Sequence, residues 1–149
     1  MSIVYAELTL TNALDVDKAE EGLIKAEEIR QMTVQAMVDT GAWTIVINEE
    51  TREKLGLRYK GYENGTRVNF TNSCGVSEVD DADGTKEMYK MAGPLEIWWK
   101  NRRLTCDALV IPGATETLLG AWVLEGLDLT INPKRELVGV HGDIIMRRV

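Results

Sequence analysis

The sequence predicts an all-β fold carrying one or two short helices, on three observations. Apolar and polar residues alternate in several short runs, which is the period of a half-buried strand. Asn-Gly and Asp-Gly pairs separate such runs, a strong short-range hairpin signal. Helix start and stop chemistry occurs only around segments a few residues long. Val4 to Leu10 alternates as a strand, whereas the Glu-, Lys- and Ala-rich stretch from Asp15 to Glu28 fits a helix or a solvated loop equally well. Arg30 to Val38 reads as a strand with Met32, Val34, Ala36 and Val38 on one face. Asn48 to Leu57 reads as a short helix, because Asn48 suits an N-cap, Glu49 and Glu50 suit the first turn and Gly56 suits the stop.

Tyr59 to Ser73 is polar and turn-rich, with Asn64-Gly65 as a hairpin turn, and the stretch from about Gly56 to Cys74 is read as an insertion. The runs Gly75–Asp80 and Thr85–Lys90 flank Asp81-Ala82-Asp83-Gly84 as a second hairpin. Pro94–Trp99 and Arg103–Ile111 form a further pair joined at Lys100-Asn101-Arg102. Leu129–Ile131 and Glu136–Val138, around Asn132-Pro133, supply the last strands. No linker rich in Pro, Ser or Gly divides the chain, so residues 1–149 are expected to form one domain.

The stretch that carries chemistry is Val34 to Ala42, an apolar run that delivers Asp39 into a tight Thr40-Gly41-Ala42 turn. A carboxylate at the end of a strand suits acid/base work, and a glycine two residues on lets backbone approach it closely. The bland alternative is a strand-end aspartate and threonine that merely stabilise their turn. Gly-Ala-Trp recurs at Gly41-Ala42-Trp43 and Gly120-Ala121-Trp122, each copy after an apolar run and before a helix-like segment, so both halves read as strand, glycine turn and short helix. In that pairing Leu118 stands where the second acid would be.

Asp39-Thr40-Gly41-Ala42 after an apolar strand, with Leu118-Leu119-Gly120 before a later short helix, resembles the retroviral-type (retropepsin-like) aspartic proteases, especially small single-lobe prokaryotic members. The resemblance runs from Tyr5 to about Val138 and implies a closed, barrel-like acid-protease lobe that works as a homodimer. It implies that Asp39 is catalytic and shares a proton with its twin across a two-fold axis, because the chain has no second Asp-Thr-Gly or Asp-Ser-Gly. Thr40, Gly41, Ala42 and Gly120 would support the active-site loop, and the hairpin tip Asp81, Ala82, Asp83, Gly84 and Thr85 would be the flap over a bound peptide or protein substrate. Trp43 departs from the small polar or acidic residue usual after this motif. It and Leu118 are groove candidates, with Trp43 leaning toward the core as large aromatics do, and Trp98, Trp99 and Trp122 expected in core or interface. The expected activity is therefore aspartic endopeptidase. Its rival is a dimeric peptide-binding or assembly module that keeps the fold without cutting.

Composition closes off other classes. A net charge of -7 disfavours nucleic acid, and the basic Arg147-Arg148 end is short enough to be simply solvated. No apolar stretch is long enough to span a bilayer, and the start lacks a basic, apolar leader, so a cytoplasmic protein off the membrane is expected. Cys74 and Cys106 are then most simply reduced thiols. No metal or cofactor is expected. A calcium loop ending on Gly84 would need an acid or amide at Val79 and a glutamate at Lys90, and His141 is the only histidine.

Overall fold

The computed structural model describes residues 3–60, 62–63, 66–67, 77–80 and 86–141. In chain order the elements begin with β1 (Tyr5–Asn12), α1 (Ala13–Glu20), β2 (Gln31–Val38), β3 (Ile45–Ile47), α2 (Glu49–Leu55) and β4 (Arg58–Lys60). Two small strand pairs follow, β5 (Tyr62–Glu63) with β6 (Thr66–Arg67), and β7 (Ser77–Asp80) with β8 (Lys86–Tyr89). The chain continues with β9 (Met91–Trp99), β10 (Arg102–Val110), β11 (Thr117–Leu119), α3 (Ala121–Gly126), β12 (Leu129–Ile131) and β13 (Leu137–Gly139). The main sheet runs β1-β2-β11-β3-β10-β9, and β1 pairs back onto β9, so six strands close into a barrel with β4 added on β9. Closure leaves the barrel strands without a free edge.

Period-two alternation decides what fills the barrel. Ala6, Leu8 and Leu10 of β1 face inward and pair across to Ala36, Val34 and Met32 of β2. Ile45, Ile47, Leu95, Ile97, Ala108, Val110 and Leu119 join them in one buried cluster, which takes in Leu55 and Leu57 around the end of α2 and Val123, Leu124 and Leu127 around α3. A smaller cluster of Val46, Met91 and Leu109 lies apart, with Leu118 packed against it. Leu118 is thus half-buried packing, continuous with the sheet.

Local chemistry sets the helices as read. The Asn48 side chain accepts from Thr51 N at 2.8 Å, and Gly56 ends α2 at φ 64, a left-handed position natural to glycine. The ambiguous stretch after Asp15 resolves into α1 and a 3-10 turn at Ala26–Glu28, so the described residues hold three short helices where one or two were expected. Asn12 caps α1 by accepting from Asp15 N at 3.1 Å, and its Nδ2 donates to Leu55 O at 2.8 Å, which ties α1 to the end of α2. Within the stretch read as an insertion, Leu57 is core and Arg58–Lys60 pairs with Gly93–Met91, so its first residues are built onto the main sheet.

Arg102 also differs from expectation. Taken as a turn residue, it is instead the first residue of β10 and 1% exposed, since Lys100, at φ 50, and Asn101 alone make the turn. Its guanidinium donates to Asp128 Oδ2 at 2.9 Å and reaches the carbonyls of Leu127 and Asp128, both at 3.4 Å. The Asn64-Gly65 turn and the Asp81–Thr85 tip lie outside the described residues, but the strands on either side of each do pair antiparallel, Glu63 with Thr66 and Asp80 with Lys86.

An ion pair between a buried aspartate and a half-exposed arginine makes the fold sensitive to acid. Asp15, almost wholly buried, accepts from Arg30 Nε at 2.8 Å, Arg30 Nη2 at 2.9 Å and Arg30 N at 3.0 Å. The hydrogen bonds from Arg30 hold its carboxyl below the usual aspartate range. Because the native value is depressed, the pair's contribution is complete above the unfolded-chain value of about 3.9 and is lost as pH falls through the lower native one. Urea titrations should therefore show wild type losing stability below about pH 4 more steeply than Asp15→Asn. Parallel acid profiles of the two would contradict this.

Candidate active-site loop

β2 ends at Val38, whose N–H is taken by Val4 O at 2.8 Å, and the chain then turns through Asp39-Thr40-Gly41-Ala42 before β3. Asp39 is half-buried. Its N–H donates to Leu119 O at 3.0 Å, and its own carbonyl accepts from Ala42 N at 3.1 Å. Its Oδ1 accepts from Gly41 N at 2.9 Å. A Cβ on Gly41 would stand 3.1 Å from that same Oδ1, so the glycine keeps room for the carboxylate. Thr40 is exposed and lines a cleft of about 520 Å³ with α3, β12, Val140 and His141.

The opposite wall of the loop is the start of α3. Ala121 N donates to Ala42 O and Trp122 N to Trp43 O, both at 2.8 Å. Between them Gly120 caps α3, and a Cβ there would meet Thr44 O at 2.3 Å and Ala42 O and Thr44 N at 2.7 Å. Those contacts are backbone, which cannot swing aside as a side chain can. The glycine therefore lets two stretches of main chain touch.

An internal repeat is present, but its register differs from the one the Gly-Ala-Trp triplets suggest. β2 is parallel to β11, β10 is parallel to β3, and β3 and β11 are antiparallel neighbours. The equivalent units are thus β2-β3-α2 and β10-β11-α3. Gly41 lies in a loop between strands and Gly120 caps a helix, so the triplets are neighbours in space and not counterparts. The counterpart of the Asp39 loop is the stretch 111–116, whose single acid, Glu116, is exposed and accepts from the Tyr5 hydroxyl at 3.1 Å.

Trp43 is not a core residue. It is 40% exposed and Trp122 48%, and both line a cleft of about 180 Å³. Trp98 and Trp99 are half-buried, beneath Arg103 and Lys100 at 5.8 Å and 4.6 Å from their rings. Cys106 is a free thiol, pushed up to about 12 by burial and the neighbouring Asp107, so it stays protonated and a poor nucleophile. His141 is a surface residue, with Nδ1 2.6 Å from Asp128 Oδ1. Cys74 and the tip residues Asp81, Ala82, Asp83, Gly84 and Thr85 lie outside the described residues. Among the described residues no cluster of three or more His, Cys, Asp or Glu is arranged to hold a metal, and no helix is long and apolar enough to cross a membrane.

The loop-to-helix brace gives a direct prediction. Gly120→Ala should destabilise the chain by several kcal/mol, since overpacking costs about 1–3 kcal/mol even where side chains can yield. Chemical shifts of Asp39 to Thr44 should move with it in NMR spectra. A variant as stable as wild type with an unmoved loop would refute the close packing.

No family model and no curated protein matches this sequence. Solved structures do. The retroviral protease-like domain of Ddi1 from Leishmania major is similar over 90% of this chain and 84% of that one, at 16% identity and a TM-score of 0.50. A retropepsin-like aspartic protease from Rickettsia conorii is similar over 90% of this chain and 89% of that one, at 17% identity and a TM-score of 0.41. With its closed six-stranded barrel and short helices, the chain has the fold of a retropepsin-like aspartic protease lobe.

Proposed function

We propose that residues 1–149 form a single aspartic endopeptidase domain that hydrolyses peptide bonds with a dyad made of Asp39 from each of two chains. The observation that carries this reading is the placement of Asp39, half-buried at the end of β2 in a loop fixed from both sides by backbone hydrogen bonds. The fold, that of a retropepsin-like lobe, supports it.

Each chain offers one Asp-Thr-Gly, and the counterpart loop has none, so the second carboxylate is assigned to an identical chain. A two-fold axis supplies it without further sequence, because the same patch meets itself. Two carboxyls a few ångströms apart share one proton. The ionised one takes a proton from a bound water as its oxygen attacks the peptide carbonyl carbon. The protonated one donates to the carbonyl oxygen, giving a neutral gem-diol. Collapse returns the carbonyl, breaks the C–N bond and places a proton on the departing nitrogen, leaving the dyad singly protonated again. Gly41 N–H, donating to Asp39 Oδ1, holds the carboxylate in its orientation within the loop.

In this reading Thr40, exposed beside the aspartate, joins the two loops across the axis, and the substrate backbone adds to the groove as an extended strand under the hairpin tip 81–85. The proposed setting is the cytoplasm. One feature favours the rival, a binding module that holds peptides without cutting them, namely an exposed Trp43 within the loop that bears the aspartate.

Asp39→Asn keeps shape and removes the ionisable group. It should fold and associate as wild type while cleavage falls by several powers of ten, because base and acid, each worth about 10²–10⁴, are lost together. Peptide-library digestion followed by mass spectrometry, with sedimentation to report association, checks this. Equal cleavage by both forms would remove Asp39 from the chemistry. Cleavage by neither form, from acidic to neutral pH, would hand the site to the binding-module reading.

A further inference from the structure

Trp43 and Trp122 stand together on the surface, joined through the bond from Trp122 N to Trp43 O, and both remain 40% or more exposed. The cleft between them has a volume of about 180 Å³, and its lining includes Met91, Pro94, Cys106 and Asp107. Two indoles and a proline ring, with the Cys106 thiol, the almost wholly buried Met91 and the buried Thr44, make a surface that is mainly apolar. The single charge in the lining is already matched, since Asp107 Oδ1 lies 3.2 Å from Lys60 Nζ. The volume suits one ring: an apolar protein cavity of roughly 150 Å³ takes up benzene.

Position gives the cleft its meaning. Trp43 is on the loop that carries Asp39, and Trp122 is on the helix start that braces it. Asp39 itself does not line the cleft, but Trp43 follows it by four residues on the same loop, so a peptide laid across that loop can seat one side chain there. Exposed large aromatics are costly to leave in water, and an aromatic guest covers both with ring-to-ring contact. The geometry points to a recognition pocket for one neutral aromatic side chain of a bound peptide, with Trp43 and Trp122 as its walls. This rests on the reading of the Asp39 loop as a peptide site, and it makes the peptide's aromatic residue a determinant of which substrates are held. Trp43 and Trp122 determine specificity here and take no part in proton transfer.

The test separates this pocket from the chemistry. Calorimetry on the Asp39→Asn chain would compare alanine-rich peptides that differ at one position, bearing Phe, Leu, Arg or Ala, with that position moved along the peptide. At one position the Phe peptide should bind about tenfold more tightly than its Arg and Ala counterparts. Trp43→Ala and Trp122→Ala should each bring the ratio of Phe-peptide to Ala-peptide affinity down toward one, and Trp43→Phe should restore most of it. Both tryptophans are exposed, so thermal unfolding should shift little in any of the three. Equal affinity for all peptides, a preference for Arg, or an unaltered Phe preference in the alanine variants would each overturn the pocket. So would a loss of self-association in Trp43→Ala at constant peptide affinity, which would give the surface to a second copy of the chain. Cleavage that survives Asp39→Asn would defeat the proposed mechanism and leave a Phe preference standing, so the two failures are distinct.

Discussion

The structure depends on one contact between main chains, that of the Asp39 loop with the end of β11 and the start of α3. Three backbone hydrogen bonds define it, from Asp39 N to Leu119 O, Ala121 N to Ala42 O and Trp122 N to Trp43 O. It exists because Gly120 has no side chain where Thr44 and Ala42 backbone must come. Loops ordinarily satisfy their backbone groups with water and move accordingly. This one is held by main-chain groups of β11 and α3, so its aspartate keeps a fixed place without burial in the core.

The barrel makes that contact possible through its strand order. Two parallel pairings, β2 with β11 and β10 with β3, bring the end of each half's first strand beside the second strand of the other half. The crossed arrangement places the glycine cap of α3 against the loop after β2, though the two are far apart in sequence. The opposite half has the same architecture without an aspartate in its loop. A site that uses two like carboxyls then has to find the second one outside the chain, and self-association is the least demanding source. In the proposed dimer the twin carboxyls would share a proton because they would lie close together.

Sequence reading succeeded where local chemistry decides and failed where distant residues decide. The helix Glu49–Leu55 was legible from Asn48 and Gly56, because a cap and a left-handed stop act within one turn of the helix. β1, β2 and the pair β9–β10 were legible from alternation, which a barrel with one buried face imposes directly. Arg102 was misjudged because its burial is decided by Asp128, which it meets only in the fold. Arg58–Lys60 looked like part of an insertion because nothing in three polar residues announces pairing with β9. Gly-Ala-Trp looked like a repeat because identical triplets do carry identical propensities. Tertiary placement then gave one to a loop and the other to a helix start. Asp39 and Gly120 were legible as a pair of motifs, whereas the open cleft beside Trp43 was not, since Met91, Pro94 and Asp107 come to it from other strands.

The account turns on whether two copies of Asp39 act as one unit, and mixing subunits measures that most directly. Wild type and Asp39→Asn would be combined in varying proportion at constant total concentration, allowed to exchange, and assayed for peptide cleavage. A shared dyad predicts that activity follows the square of the wild-type fraction, so an equal mixture retains about a quarter of the full rate, since mixed pairs carry one carboxyl and are inactive. A straight-line dependence, with half the rate at equal mixture, would mean that each chain works alone and would contradict the account.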